Sequence, residues 1–217
     1  MTVSLERPLP KPALTKKGMA VLPDSATMPR KLWTWDECRQ LMDLGLLEES
    51  SRYELLEGEI VDKMWFNEPH VYVTSRIHRA LLAIFGFDHV RVAAPVALAP
   101  RNAPEPDVAV MTRAAEEYLY IGTPPPSDVR LAVEVADATL SSDRAIKGFR
   151  YSEAGIPEYW IVNIPQRQLE LFRQPAPDGY AEWQTVAEDG LVSPLAAPEA
   201  QIAVADLLPL ASAKGAS

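Results

Sequence analysis

A single cysteine, Cys38, among 217 residues excludes an intrachain disulfide and a cysteine-rich zinc site, and fits a reducing compartment. The opening stretch, residues 1–12, holds no apolar run of signal-peptide character. The longest apolar stretch, Val92 to Pro100, is interrupted by Pro95 and is far too short to cross a bilayer. These absences lead to the expectation of a soluble, cytoplasmic protein with no membrane partner. A surplus of positive charge is also missing. The formal net charge of -9 and pI near 4.9 supply no footprint for tight sequence-independent DNA binding, which counts against a nucleic-acid partner without deciding the matter. A short basic cluster, Arg144, Lys147 and Arg150, remains. There is no G-x-S-x-G, Walker A loop, G-x-G-x-x-G or H-E-x-x-H, so acyl-transfer elbows, P-loop hydrolysis, dinucleotide binding and zinc peptidase chemistry lack support. His70 and His78 stand eight residues apart, which is not the i, i+4 spacing of a helical zinc pair, and both read as surface or packing histidines.

What the chain does contain is enough apolar residue, 47%, for one α/β domain over residues 31–210. Residues 1–30 are punctuated by Pro8, Pro10, Pro12, Pro23 and Pro29 and read as a flexible arm, and 211–217 as a frayed tail. Thr34-Trp35-Asp36-Glu37 is a capping-box pattern that opens a first helix ending near Gly45. Tyr53 to Met64 reads as a hairpin turning at Glu57-Gly58. The stripe Val73, Ile77, Leu81, Ile84 predicts a long helix from Glu68 to Phe85, stopped by Gly86. Three extended segments follow, 91–98, 107–111 and 129–136, the last two buried on both faces. A stiff connector at Pro124-Pro125-Pro126 joins those two. Ser142 or Asp143 is expected to cap a helix to about Ala154, followed by a strand at 159–164 in a right-handed parallel crossover. A hairpin over 168–186 and a short element near 202–208 complete the pattern.

Glu134 is the most informative residue. It interrupts Leu131-Ala132-Val133-Glu134-Val135-Ala136, a central strand in which an ionised carboxylate is costly unless a cation or several donors compensate it. Alternation places Glu134 on the face of Ala132 and Ala136, whose small side chains leave room for an ion. Asp107 follows Pro106 at the start of a strand, so its carboxylate projects from the end of a sheet. Two carboxylates from adjacent strands, completed by water, suit Mg²⁺. Lys147 shares a helix face with Asp143 and Tyr151, where an ammonium can orient water and stabilise charge developing on a phosphate. Each has a plainer reading. Asp107 alone reads as a strand-capping turn residue, Asp143 as a helix cap, Tyr151 and Trp160 as core aromatics, Glu57 as a turn residue, and Glu134 with Lys147 as a structural ion pair.

Pro106-Asp107, Glu134-Val135-Ala136 and a helical lysine together resemble the PD-(D/E)xK nuclease superfamily. More narrowly, Tyr53-Glu54-Leu55-Leu56-Glu57-Gly58-Glu59-Ile60, Glu105-Pro106-Asp107-Val108-Ala109-Val110 and Gly155-Ile156-Pro157-Glu158-Tyr159-Trp160-Ile161-Val162 look like the Uma-type restriction endonuclease family, over roughly residues 33 to 187. The resemblance implies a restriction-endonuclease-like α/β core, a mixed central sheet flanked by helices. It implies Asp107 and Glu134 as metal ligands, the Val135 carbonyl as a third, Lys147 as the active-site lysine, and accessory roles for Glu54, through a second metal or a water, and for His70. Ala136 departs from the superfamily pattern, because the lysine usually stands at that strand position. Asp143-x-x-x-Lys147-x-x-x-Tyr151 moves it to the helix, as the Uma-type family resembles. Asn163 stands where relatives often have Asp, a strand-end detail.

Two functions follow as expectations. One is a Mg²⁺- or Mn²⁺-dependent endonuclease acting on DNA, as a homodimer because double-strand cleavage needs two sites. The other is a non-catalytic binding or assembly module that keeps the fold and uses Glu134 and Lys147 for structure.

Overall fold

The computed structural model describes residues 30–47, 52–63 and 67–210. Nearly all of the Pro-rich arm and the whole of the tail at 211–217 lie outside the described residues. Helix α1 (Trp35–Asp43) opens as expected, with the Thr34 hydroxyl accepting from the Glu37 N–H and the Glu37 carboxylate accepting from the Thr34 N–H. Strands β1 (Tyr53–Leu56) and β2 (Glu59–Asp62) pair antiparallel around Glu57 and Gly58, both at positive φ (54° and 84°), the geometry of a tight hairpin turn. Helix α2 (Glu68–Phe85) is capped by the Asn67 side chain, carries Pro69 in its first turn, and buries Val73, Ile77 and Leu81.

The centre of the molecule is a six-stranded sheet in the order β3-β4-β5-β6-β7-β8. Its strands are β3 (Val90–Val92), β4 (Val108–Met111), β5 (Val129–Ala136), β6 (Glu158–Asn163), β7 (Gln168–Ala176) and β8 (Gly179–Ala187). Only β5 and β6 run parallel, so the sheet is mixed, as the single strand-helix-strand unit in the sequence requires. One face carries Val108, Val133, Val135 and Trp160 against α2 and α6 (Val204–Leu207). The other carries Ala109, Ala132, Ala136 and Tyr159 against Tyr151 of the crossover. A two-stranded ribbon of β9 (Leu191–Val192) and β10 (Ile202–Ala203) precedes α6.

Three expectations are corrected. The segment 91–98 is a strand only as far as Val92. Ala93 adopts φ 48° and Pro95 has no N–H, so the ladder stops, and the chain continues on single bonds such as Val96 N–H to the Pro104 carbonyl. The Pro-rich connector contains a 3₁₀ turn (Pro126–Asp128), and ahead of it lies α3 (Tyr118–Ile121). The crossover helix is capped by neither Ser142 nor Asp143. It begins at α4 (Leu140–Ser142) behind Thr139, widens into a π-helical turn (Asp143–Lys147), and resumes as α5 (Gly148–Glu153). The Ser142 hydroxyl donates back to the Thr139 carbonyl, and Asp143 accepts from the Thr139 hydroxyl at 2.6 Å, so neither is a free N-terminal acceptor. Gly148 lets this wide turn lie on the sheet, because a Cβ there would stand 3.3 Å from the Asp143 carbonyl and 3.4 Å from the Tyr159 ring.

Candidate active site

The antiparallel register pairs Val108 of β4 with Val133 of β5, and one further step sets Asp107 beside Glu134. The hairpin β1–β2 is stitched to the loop before β4 by reciprocal backbone bonds between Leu55 and Ala103, which bring Glu54 to the same place. The Glu54 carboxylate then accepts from the Glu105 N–H at 2.9 Å. From the opposite side, the π turn presents Lys147, whose Nζ lies 3.0 Å from Glu54 Oε1 and 3.1 Å from Glu134 Oε1. Tyr151, one turn on, donates its hydroxyl to Glu134 Oε1 at 2.9 Å. The structure thus gathers Glu54, Asp107, Glu134, Lys147 and His70 at one end of the central strands. Tyr151 and Trp160 are core aromatics, and Tyr151 also holds Glu134.

His70 is not a surface residue. Its Nε2 lies 3.0 Å from Asp107 Oδ2, with Thr74 Oγ1 3.4 Å from Nδ1, contacts that suit the tautomer protonated at Nε2. The Val135 N–H also donates to Asp107 Oδ2, at 2.8 Å. Lys63, just past β2, belongs to none of the motifs in the sequence. Its Nζ donates to the Glu105 carbonyl at 2.6 Å and stands 3.3 Å from Asp107 Oδ1. Only its place two residues after Val61, on the hairpin face of Glu54, points to it in the sequence. Asn163 forms side-chain bonds with Gln166 and Glu170 and takes no part in the cluster.

Charge in the cluster is unbalanced. Glu54, Asp107, Glu134 and Asp143 face the two ammonium groups of Lys63 and Lys147, an excess of two negative charges when all are ionised. Burial pushes the Glu134 carboxyl up to about 8, against the pull of Lys147 and with the repulsion of Asp107. Burial raises Asp143 as well, against the pull of Lys147. Asp107 goes the other way. Burial would raise it, but the bonds from His70 and the Val135 N–H, with the charge on Lys63, hold it down to about 2. Burial disfavours the Lys147 ammonium, yet the carboxylates led by Glu134 and Glu54 raise its pKa above the ordinary value, so it stays charged.

The cluster floors a cleft of about 770 Å³, whose walls include Leu56, Val61 and Ile146. Among the described residues no three His, Cys, Asp or Glu groups converge as a ready-made metal cage. The donor set nevertheless suits a hard divalent cation. Asp107 and Glu134 are carboxylates on adjacent strands, Glu134 Oε2 accepts no hydrogen bond among the described residues, and the charge excess is that of one such ion. No described helix is long and apolar enough to cross a membrane.

A mixed sheet with carboxylates at the ends of two neighbouring central strands and a lysine on the following helix defines a restriction-endonuclease-like fold. The Uma2 family model, described as "Putative restriction endonuclease", matches residues 35–205, and the chain belongs to that family. A crystal structure described as "a putative nuclease belonging to DUF820", from Anabaena variabilis ATCC 29413, is similar with a TM-score of 0.58 and 17% identity. The match covers 80% of this chain and 96% of that one, and at this identity it is a likeness of fold. No curated protein matches.

Proposed function

We propose that the chain is a Mg²⁺- or Mn²⁺-dependent endonuclease that hydrolyses phosphodiester bonds, with DNA as its substrate. Asp107, Glu134 and the Val135 carbonyl would hold the ion. The observation that carries this reading is Glu134, buried on a central strand and driven towards protonation next to the ionised Asp107, a state that a divalent cation relieves. The ion, when bound, supplies Lewis acidity towards the phosphoryl oxygen and a more acidic water.

The side chains around it divide the remaining work. Lys147 is held protonated by its carboxylate neighbours, so it acts as a donor and fixed positive charge and not as a base. It orients the attacking water and stabilises the charge that builds on the phosphate. Tyr151 and Lys147 both bind Glu134 Oε1, which would leave Oε2 as the oxygen to hold the ion. His70 and the Val135 N–H fix Asp107 Oδ2, and Oδ1 faces Lys63. Cutting both strands of a duplex needs two such clefts, so a homodimer is the expected acting species.

The test is nicking of supercoiled plasmid by purified protein with Mg²⁺, Mn²⁺ or EDTA, beside Glu134→Ala and Lys147→Ala. Metal-dependent nicking lost in both variants supports the reading. The network that joins Lys147 to Glu54 and Glu134 is also what a non-catalytic assembly module would keep. That second reading requires no nicking of DNA or RNA and a melting temperature that millimolar Mg²⁺ leaves unchanged.

A further inference from the structure

Lys63 continues the hairpin ladder by one residue beyond β2, with its N–H donating to the Arg52 carbonyl at 2.8 Å. Glu54 pairs with Val61 across the hairpin, so alternation brings Lys63, two residues further on, to the face of Glu54. Its side chain is 11% exposed, and burying an ammonium to that extent is costly unless oxygens surround it. They do. Nζ stands 2.6 Å from the Glu105 carbonyl, 3.3 Å from Asp107 Oδ1, 3.7 Å from Glu54 Oε1 and 3.9 Å from Glu105 Oε1. Glu105 is itself paired with Arg52.

A backbone carbonyl and three carboxylates around one cation are the donors that a hard divalent ion asks for. Two-metal phosphodiesterases place their ions about 3.5–4 Å apart, which requires ligands near both. Here Asp107 turns Oδ1 to Lys63, while Glu54 Oε1 lies near both Lys63 and Lys147. We propose that the Lys63 ammonium is a resident cation in the position a second divalent ion would take beside Asp107 and Glu54, so that the site accepts one divalent ion only. The inference rests on the metal-dependent reading above and adds its stoichiometry. It also assigns Glu54 to holding a fixed charge and not a second metal. The arrangement keeps a positive charge in place without drawing on the free metal concentration.

The probe is Mn²⁺ alone, titrated into the full chain and followed by electron paramagnetic resonance of the unbound ion and by calorimetry. No nuclease activity is needed for either readout. The wild type and Lys63→Arg are expected to bind one Mn²⁺ per chain. Lys63→Met is expected to bind two, the second of them lost in Lys63→Met/Glu54→Gln. Circular dichroism checks folding, and Lys63→Gln replaces the methionine variant if that chain does not fold. Two ions in the wild type, or one ion of unchanged affinity in Lys63→Met, would overturn the proposal while leaving the metal site standing. No Mn²⁺ uptake by any folded form would remove the metal-dependent reading itself, and this inference with it.

Discussion

Lys147 Nζ and Glu134 Oε1 stand 3.1 Å apart with both side chains almost wholly buried, so each is the other's chief compensation for lost water. Removing one partner leaves the other charge buried, which typically costs about 3–5 kcal/mol, whereas replacing both can be nearly neutral. Lys147→Ala also strips Glu54 of its closest ammonium. Urea unfolding should therefore show Lys147→Ala losing about 3 kcal/mol, with Lys147→Met/Glu134→Gln recovering most of that loss. Additive losses in the double variant would mean that the two groups do not compensate one another.

Tyr151 gives a finer probe of the same carboxylate. Tyr151→Phe keeps the buried ring packed against Tyr159 and removes only the donor to Glu134 Oε1. A buried acceptor deprived of a neutral donor costs about 1–2 kcal/mol, and plasmid nicking should fall about tenfold as Glu134 loses its fixed orientation. Unchanged nicking with lowered stability would confine the Tyr151 hydroxyl to a structural hydrogen bond.

The frame of the molecule was readable because its signals are local. The Thr34 capping box, the Glu57-Gly58 turn, the apolar stripe of α2 and the apolar runs of β5 and β6 each act within a few residues. Glu134 was readable because a carboxylate inside a two-sided apolar strand contradicts its surroundings. The contribution of Lys63 was not, because its meaning depends on the Leu55–Ala103 bridge that brings the hairpin to Asp107. His70 enters the sequence reading only through the family resemblance, which gives it an accessory role. Its spacing from His78 excludes a helical zinc pair but carries no information about a contact with Asp107, a residue on the far side of β3 in the chain. The π turn was also invisible in the sequence, since its extra residue reflects packing of Gly148 on Tyr159.

Glu170 sets the expected acid response. Burial would raise its carboxyl, but the bidentate bond from Arg144 and the Asn163 amide hold it below its ordinary 4.5. A carboxyl with a depressed folded pKa adds stability that is full above about pH 4.5 and lost as pH falls through the folded value, because the unfolded chain takes up the proton first. Glu170→Gln should lower the melting temperature at pH 7 and approach the wild type at pH 3. A constant difference at both pH values would show that the loss comes from neutral hydrogen bonding alone.

The cleft itself is acidic, which bears on how a polyanion enters it. Glu57, Glu59, Asp62 and Asp137 join the four buried carboxylates in its lining, against Lys63 and Lys147 as the only lysine or arginine side chains among its described walls. Glu59 and Asp62 are exposed on β2. Two carboxylates within about 8 Å of a phosphate repel it by about 1 kcal/mol together in water at low salt, roughly a fivefold change in affinity. Glu59→Gln/Asp62→Asn should therefore bind a non-cleavable phosphorothioate duplex about fivefold more tightly at low ionic strength by fluorescence anisotropy. The gain should shrink as salt screens the repulsion, and the wild type should weaken less with added salt than the variant does. Equal affinity for both forms at low salt would mean that the duplex approaches from a side away from β2, and that the acidic rim plays no part in admitting it.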